Sequence, residues 1–145
     1  MELVIRNAEP NDSAYITDLS RQLGYETDEI RMKNRLEVIL ANTDNCVFVA
    51  VENNDIIGWI HAFYSLQVES DFFVEIGGLV IDEKHRRKGI GELLINHISP
   101  WAKSKGCTKI RVRCNTKRKE SHLFYHGIGF TETKEQKIFD KQIEL

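Results

Sequence analysis

Hydrophobic residues change their spacing along the chain, from a helical period before residue 42 to an extended one after residue 45. In the first part, apolar side chains such as Ile16, Leu19 and Leu23 recur every three or four positions, which is typical of amphipathic helices. In the second helix the predicted buried face consists of Ile30, Leu36, Ile39 and Leu40. From Cys46 onward, β-branched and aromatic residues form short runs separated by polar turns, which predicts strands. In chain order the pattern predicts a strand at 3–6, a helix from Pro10 to Gly24, a helix at 27–41, strands at 46–52, 56–64 and 72–81, a helix at 89–105, a strand at 109–114, a helix at 119–127 and terminal strands at 128–130 and 137–145.

This order of elements predicts an α/β fold with a mixed sheet. The segments 46–52 and 56–64 flank the polar turn 53–55, so we expect them to form a hairpin. Pro100 falls inside the helix 89–105, where it removes one backbone hydrogen bond and should kink or split the helix near 96–99.

Length and composition narrow the class of protein. The 145 residues predict one domain over 1–145, and no stretch approaches the roughly 18 apolar residues of a membrane-spanning helix. The first residues lack the pattern of a signal peptide, so we expect a cytoplasmic protein that makes no membrane contact. Three cysteines without C-x-x-C spacing argue against a disulfide framework or a zinc site. A net charge of −2 argues against a dedicated nucleic-acid binder.

The segment VIDEKHRRKGIGELL (80–94) combines a strand end, a basic turn and the start of a helix. The first amides of a helix have no intrahelical partner, and the helix dipole favours an anion there. Gly89 and Gly91 would let a ligand approach the backbone, and Arg86 is able to hold a phosphate in two-point contact. The spacing matches neither a Walker A loop nor a Rossmann loop. The residues thus favour a pyrophosphate site, while a solvated turn with a glycine cap explains them equally well.

The apolar strand FFVEIGGLVI (72–81) contains one carboxylate and a pair of glycines. A charge in such a strand usually has a specific role or partner, so Glu75 is a candidate base, or else it faces solvent, His61 or Arg113. Paired glycines in a strand mark a bulge or a close approach of the backbone, and Gly77-Gly78 also makes room for a neighbouring aromatic ring.

Two segments carry a family resemblance. EIGGLVIDEKHRRKGIGELLI resembles motif A of the GCN5-related N-acetyltransferase (GNAT) superfamily, in which a strand is followed by R/Q-x-x-G-x-G/A at a helix start. RKESHLFYHGIGF (118–130) resembles the later segment N-x-x-A-x-x-L-Y-x-x-x-G-F of the same superfamily. Tyr125, Gly129 and Phe130 match that segment, whereas Phe124, Ser121 and Arg118 replace its Leu, Ala and Asn. The order of elements agrees, so the resemblance covers essentially the whole chain.

The resemblance implies a fold and a cosubstrate. The fold is a mostly antiparallel sheet of six to seven strands flanked by about four helices, with strand 72–81 splayed from strand 109–114. The cosubstrate is acetyl-CoA, whose pantetheine arm lies in that gap, and no metal takes part. The residues implied to bind acetyl-CoA are Leu79, Val80, Ile81, Arg86, Arg87, Lys88, Gly89, Ile90, Gly91, Glu92, Arg118 and Tyr125.

The resemblance also implies a reaction, the attack of an amine on the thioester carbonyl of acetyl-CoA. Tyr125 matches the general acid of the family, since a phenol stays protonated at neutral pH and can donate to the departing sulfur. A backbone N–H on the splayed strand, that of Val80, would polarise the carbonyl. Glu75 stands where family members often place an acid that takes the amine proton through water.

The acceptor is left open by the sequence. The segments YETDE (25–29) and QVESD (67–71) would give an acceptor site an acidic rim suited to a cationic amine, although solubilising loop charge explains them as well. A homodimer through the terminal strands is compatible with the family. A non-catalytic acyl-CoA sensor on the same fold is the alternative function, and the presence of both Tyr125 and Glu75 favours the enzyme.

Overall fold

The computed structural model describes residues 2–144, and its elements follow the predicted order closely. Two short 3-10 turns, Pro10–Asp12 and Glu83–His85, precede the first and third helices. The longer elements are β1 (Leu3–Asn7), α1 (Ser13–Arg21), α2 (Glu29–Leu40), β2 (Asn45–Glu52), β3 (Asp55–Ser65), β4 (Phe73–Ile81), α3 (Ile90–Ser104), β5 (Ile110–Val112) and α4 (Lys119–Gly127).

The described residues form one five-stranded sheet in the order β1-β2-β3-β4-β5. Neighbouring strands from β1 to β4 are antiparallel, and β5 pairs with β4 in parallel, which confirms a mixed, mostly antiparallel sheet with four helices. The prediction of six to seven strands is wrong, because the structure assigns no strand to residues 128–144. The spacing of apolar residues reports a propensity for extended backbone, whereas a strand also requires a neighbour with which to pair. Leu145 of the predicted last strand lies outside the described residues.

Both faces of the sheet are covered by helices. On one face, α1 and α2 pack through a buried cluster that includes Ile16, Leu36, Val49 and Val80. Side chains alternate between the faces of a strand, so Phe48 points to the other face, where its ring contacts His97 of α3. The buried positions of α3 are Ile90, Gly91, Leu94, Ile95, Ile98 and Ala102.

Two helical details differ from the sequence expectation. Ile30 was expected on the buried face of α2, but it is 75% exposed, while Leu36 is 4% exposed. Six residues at about 100° each place Ile30 about 120° away from Leu36 around the helix, so both cannot face the sheet. Pro100 does not split α3, which runs without interruption through it. Asn96 and Pro100 lie on the exposed side of the helix, where water can bond the carbonyl that proline leaves without a donor.

The chain consists of two compact units. The unit up to Arg113 holds the sheet with α1, α2 and α3, and the unit from Cys114 onward holds α4 and the extended residues 128–144. No helix between residues 2 and 144 is long and apolar enough to cross a membrane.

A buried carboxylate anchors the start of α1 and yields a prediction about stability. Asp12 is 7% exposed and accepts hydrogen bonds from Arg6 at 2.9 and 3.0 Å and from the Glu9 amide at 2.8 Å. We expect Asp12→Ala to lower the free energy of unfolding by about 2 kcal/mol, since hydrogen bonds to a charged group are lost and Arg6 keeps its solvent access. Chemical denaturation at pH 7 measures this loss. Asp18→Ala is the matched control, because Asp18 forms an exposed surface pair with Arg21 and should cost little.

The same pair predicts a pH dependence of stability. Burial alone would raise the pKa of Asp12, but the hydrogen bonds from Arg6 and from the Glu9 amide lower it overall. A carboxylate with a lowered pKa in the folded state stabilises the fold above its unfolded pKa of about 3.9 and loses that contribution as the pH falls through the folded value. The difference between wild type and Asp12→Ala should therefore shrink as the pH is lowered below about 4. A difference that stays constant down to pH 2 would contradict this assignment.

Candidate active site

The loop after β4 has the backbone of an anion cradle. β4 ends at Ile81, the turn Glu83–His85 follows, and α3 begins at Ile90. Gly89 caps α3 with φ of 78°, a left-handed conformation that glycine adopts at little cost. Arg87 also has a positive φ, of 65°, which is unusual for a residue with a side chain. The loop therefore turns sharply into α3, whose first two residues, Ile90 and Gly91, are buried, whereas Gly89 and Glu92 are exposed.

Three basic residues directly precede that helix start in the chain. Arg86, Arg87 and Lys88 are exposed, as is Gly89, and no Cβ at Gly89 would meet another atom within 4 Å. The first helical hydrogen bond across this junction runs from the Leu93 amide to the Gly89 carbonyl at 3.1 Å. The amides of residues 90–92 precede that bond, in the part of a helix where backbone N–H groups have no intrahelical partner.

β4 loses its partner on one side just before this loop. The parallel pairing with β5 joins Val74 to Ile110 and ends where Ile76 meets Val112. Among the described residues, no strand pairs with the stretch 77–81 on that side. The pairing between the two strands thus ends before Gly77, where β5 itself ends at Val112.

The register of β4 against β3 decides which amides face the unpaired side. The Asp82 amide donates to the Ile57 carbonyl at 2.8 Å, and Val80 lies opposite Trp59. Hydrogen-bonded pairs alternate along antiparallel strands, so the amide of Val80 faces β3, while those of Leu79 and Ile81 face the unpaired side. The amide of Leu79, rather than that of Val80, is therefore available to a ligand in the gap.

Gly77 and Gly78 fulfil both roles that the sequence left open. The pairing of β3 with β4 shifts register between His61 and Ala62, which makes a bulge beside Gly77. A Cβ at Gly78 would lie 2.6 Å from Cη2 of Trp59, so this position must stay without a side chain to accommodate the indole. The structure thus contains both the bulge, beside Gly77, and the aromatic neighbour, against Gly78.

Glu75 has a partner, and that partner is Arg113. Nε of Arg113 lies 3.1 and 3.2 Å from the two carboxylate oxygens. The side chain of Glu75 is 13% exposed, whereas that of Arg113 is 42% exposed. The carboxylate is thus held in place beside an arginine that solvent still reaches.

His61 is a polar group near Glu75 to which the sequence reasoning gave no role of its own. It lies two residues before Phe63, which is opposite Glu75, so the two side chains share a face of the sheet. Nε2 of His61 lies 2.7 Å from the amide oxygen of Asn45, and an oxygen can only accept, so Nε2 carries the proton. Nδ1 then carries a lone pair, 2.8 Å from the position of a Cβ on Gly77. Burial lowers the pKa of His61, which keeps the ring neutral. A histidine within the apolar run IIGWIHAFY was the available signal.

The second unit carries Tyr125 on α4. Its ring packs edge-on against Phe124 and Phe130, with ring centroids 5.0 and 5.3 Å away. Burial raises the pKa of the phenol, and nearby Cys114 adds to that effect. Tyr125 therefore stays protonated through the neutral range. Arg118 is the exposed N-cap residue of the same helix.

The acidic segments differ in what their carboxylates do. Asp28 caps α2 by accepting a hydrogen bond from the Arg31 amide at 2.8 Å, which gives it a structural role. Glu26, Glu29, Glu69 and Asp71 are exposed. Across residues 2–144, no group of three or more His, Cys, Asp or Glu side chains is arranged to hold a metal ion.

A sequence profile gives the decisive comparison. The profile of the acetyltransferase (GNAT) family matches residues 13–130. The chain belongs to the acetyltransferase (GNAT) family. This GNAT chain is accordingly an acyltransferase, with acetyl-CoA as its acyl donor.

Individual relatives agree with the family. The GNAT chain is 27% identical over 117 residues to the uncharacterized N-acetyltransferase YhdJ of Bacillus subtilis, covering 80% of each chain. It is 29% identical over 125 residues to the glucosamine 6-phosphate N-acetyltransferase of Arabidopsis thaliana, covering 81% of this chain and 80% of that relative. The apo crystal structure of the aminoglycoside antibiotic 6'-N-acetyltransferase AAC(6')-IG of Acinetobacter haemolyticus has the same fold, with a TM-score of 0.86 and 22% identity over 97% of this chain and 99% of that chain.

Proposed function

We propose that this GNAT chain is an N-acetyltransferase that moves an acetyl group from acetyl-CoA to an amine by direct attack on the thioester. The observation that carries the proposal is the continuity of the unpaired stretch 77–81 with the glycine-capped start of α3. A pantetheine arm contains amides that can pair with an open strand, and the pyrophosphate that follows it needs free amides and cations. Both requirements are met in sequence along one segment of backbone.

The chain's own residues divide the work of binding acetyl-CoA. The backbones of Leu79 and Ile81 bind the pantetheine arm, and Val80 between them is buried and holds the strand against the helices. The backbone amides that take the pyrophosphate are those of Arg87, Gly89, Ile90, Gly91 and Glu92. The side chains that reach the outer phosphates are those of Arg86, Lys88 and Arg118, and the side chain that reaches the sulfur is that of Tyr125.

Three groups then serve the reaction. Acetyl-CoA supplies a thioester carbonyl, and the Leu79 amide polarises its oxygen. Glu75 takes a proton from the ammonium group through water, which frees the nitrogen lone pair that forms the N–C bond, and Tyr125 gives a proton to the sulfur as the C–S bond breaks. The ammonium ion loses two protons in all. One passes through Glu75 to solvent, and the other leaves the nitrogen as the amide forms and balances the proton that Tyr125 gives to the thiolate.

The acceptor proposed here is a cationic amine, and amino sugars are the first class to consider. The exposed carboxylates of Glu26, Glu29, Glu69 and Asp71 support a positively charged acceptor. Two relatives are named for amino-sugar acceptors, one an aminoglycoside and the other glucosamine 6-phosphate. The acidic segments favour an aminoglycoside-like amine over a phosphorylated sugar, because a phosphate would be repelled by them.

Two measurements test the proposal. Acetyl-CoA should raise the melting temperature of the protein, and release of free CoA should then be followed with an aminoglycoside, spermidine, a basic peptide and glucosamine 6-phosphate. We expect turnover with the cationic amines and little with the phosphorylated sugar. Turnover confined to neutral or anionic amines would contradict the acceptor class. Absence of stabilisation by acetyl-CoA would overturn the whole proposal.

The same experiment separates the enzyme from a non-catalytic acyl-CoA sensor. The contact of Arg113 with both oxygens of Glu75 favours a sensor, because it leaves fewer lone pairs of the carboxylate for the water that would carry the amine proton. Stabilisation by acetyl-CoA without turnover on any amine would support that alternative.

Two further parts of the proposal concern organisation. The family match spans both units of the chain, which supports one functional domain over 1–145. Ile138, Phe139 and Ile143 are 83%, 88% and 85% exposed, and burial of such residues against a second copy would support a homodimer. The cytoplasmic location stays a prediction.

A further inference from the structure

Four polar side chains from three parts of the fold meet at the entry to the basic loop. Nδ1 of His85 lies 2.7 Å from Asp82, and Nε2 lies 3.6 Å from Glu52 at the end of β2. Gln22, at the end of α1, donates to the other oxygen of Asp82 at 2.9 Å and accepts from the Glu83 amide at 3.0 Å. The loop entry is therefore tied to the end of α1 by hydrogen bonds of Gln22, and it lies against the end of β2 through His85 and Glu52.

The three titratable side chains of this cluster are partly shielded from solvent. Those of His85, Asp82 and Glu52 are only 22%, 20% and 15% exposed. A carboxylate oxygen only accepts, so Nδ1 of His85 donates to Asp82 at 2.7 Å. Hydrogen bonds from Gln22 and His85 lower the pKa of Asp82, which keeps it ionised. Hydrogen bonds to an ionised carboxylate that is partly out of water are stronger than neutral surface contacts.

The segment that follows His85 stores strain at Arg87. Arg87 and Gly89 both have positive φ, of 65° and 78°, within three residues of each other. A residue such as Arg87 keeps that conformation only where the surrounding structure enforces it. The side chains of Arg86, Arg87 and Lys88 are exposed, so they provide little packing. Within the loop, Nε of Arg86 donates to the Ile81 carbonyl of β4 at 3.4 Å. His85 is the last side chain before the loop with a partner in a distant strand, Glu52 of β2.

We propose that His85 is a positioning residue that sets the basic loop 86–89 in the conformation that receives the pyrophosphate of acetyl-CoA. The proposal rests on the cofactor part of the proposed function and adds to it a residue with no direct contact to the reacting atoms. A loop fixed in advance loses less conformational freedom on binding, so affinity rises without any new contact to the ligand. His85 thereby affects the binding of acetyl-CoA and not the chemical step.

The test compares two acyl donors that differ in the pyrophosphate. Acetyl-CoA contains it, whereas S-acetylpantetheine lacks the pyrophosphate and the nucleotide. We expect His85→Ala to raise the KM and the Kd for acetyl-CoA by about tenfold, the loss of a charge-assisted contact, with kcat unchanged. The kcat/KM for S-acetylpantetheine should stay at the wild-type value. His85→Asn, whose amide still reaches toward Asp82, should recover part of the affinity.

Controls keep the result interpretable. His97→Ala removes an exposed histidine of α3 and should leave kcat/KM unchanged for both acyl donors. An equal loss of kcat/KM for both donors, or an unchanged affinity for acetyl-CoA in a folded variant, would overturn the proposal. Should His85→Ala fail to fold, His85→Asn and Gln22→Ala apply the same two-donor comparison. Affinity is measured without an acceptor, so failure of wild type to bind acetyl-CoA would refute the proposed function, whereas normal wild-type binding with unaltered variants would refute only the role of His85.

Discussion

Replacing Tyr125 with phenylalanine is expected to lower kcat by about 100-fold, while the affinity for acetyl-CoA stays nearly intact. The substitution removes only the hydroxyl, so the ring keeps its edge-on contacts with Phe124 and Phe130. A loss of this size is the ordinary contribution of one general acid. Steady-state turnover with a cationic amine measures kcat, and calorimetry with CoA measures affinity.

The titration of Tyr125 adds a second expectation. A general acid works only below its pKa, and burial raises the pKa of this phenol. Tyr125 should therefore stay protonated, and cause no loss of kcat, at least up to about pH 9, where an unperturbed tyrosine begins to ionise. Tyr15→Phe is the matched control, because Tyr15 is 44% exposed on α1. Wild-type turnover by Tyr125→Phe would show that another group protonates the leaving sulfur.

Glu75→Gln is the second substitution with a large expected effect, a fall in kcat/KM for the amine of about 100-fold. Glutamine has nearly the same shape but cannot take a proton, so an amine that binds as its ammonium ion loses its proton acceptor. The KM for acetyl-CoA should change little. Initial rates over a range of amine concentrations measure the effect, and Glu2→Gln, at an exposed residue ahead of β1, is the matched control.

Arg113 provides a way to distinguish proton transfer from simple positioning. If Glu75 acts only by holding Arg113, then Arg113→Met should cost as much as Glu75→Gln. If Glu75 is the base, Arg113→Met should cost far less, because it frees the carboxylate that Arg113 now engages at 3.1 and 3.2 Å. Equal losses in the two variants would remove Glu75 from the mechanism and leave His61 as the neighbouring group to examine.

The glycine-capped turn that we propose as the phosphate site was the part of the site most accessible to sequence reasoning. The spacing of Arg86, Gly89 and Gly91 after an apolar strand predicts a turn into a helix, and the structure has Gly89 in the left-handed cap position of α3. Such a junction depends on neighbouring residues in the chain, so its signal is local. The same holds for β1 to β4 and the hairpin turn at Asn53 and Asn54, whose positive φ values suit a tight reversal.

Contacts between distant segments were not accessible in the same way. The partner of Glu75 was one of several candidates until the register placed Arg113 beside it, 38 residues away in sequence. The amide facing the gap is that of Leu79 rather than Val80, because alternation depends on how β4 aligns with β3. The prediction of terminal strands was wrong for a related reason. The spacing of apolar residues does not indicate whether residues 128–144 have a neighbouring strand with which to pair.

The sequence by itself determined the order of the elements, the glycine-capped turn and the family resemblance, because periodicity and turn chemistry are properties of neighbouring residues. Only the tertiary structure decided the end of the β4–β5 pairing at Ile76, the ion pair of Glu75 and the cluster around His85. Those features depend on strand register and on side chains that approach each other across the fold. A one-residue shift in register would change every one of them without changing the local pattern.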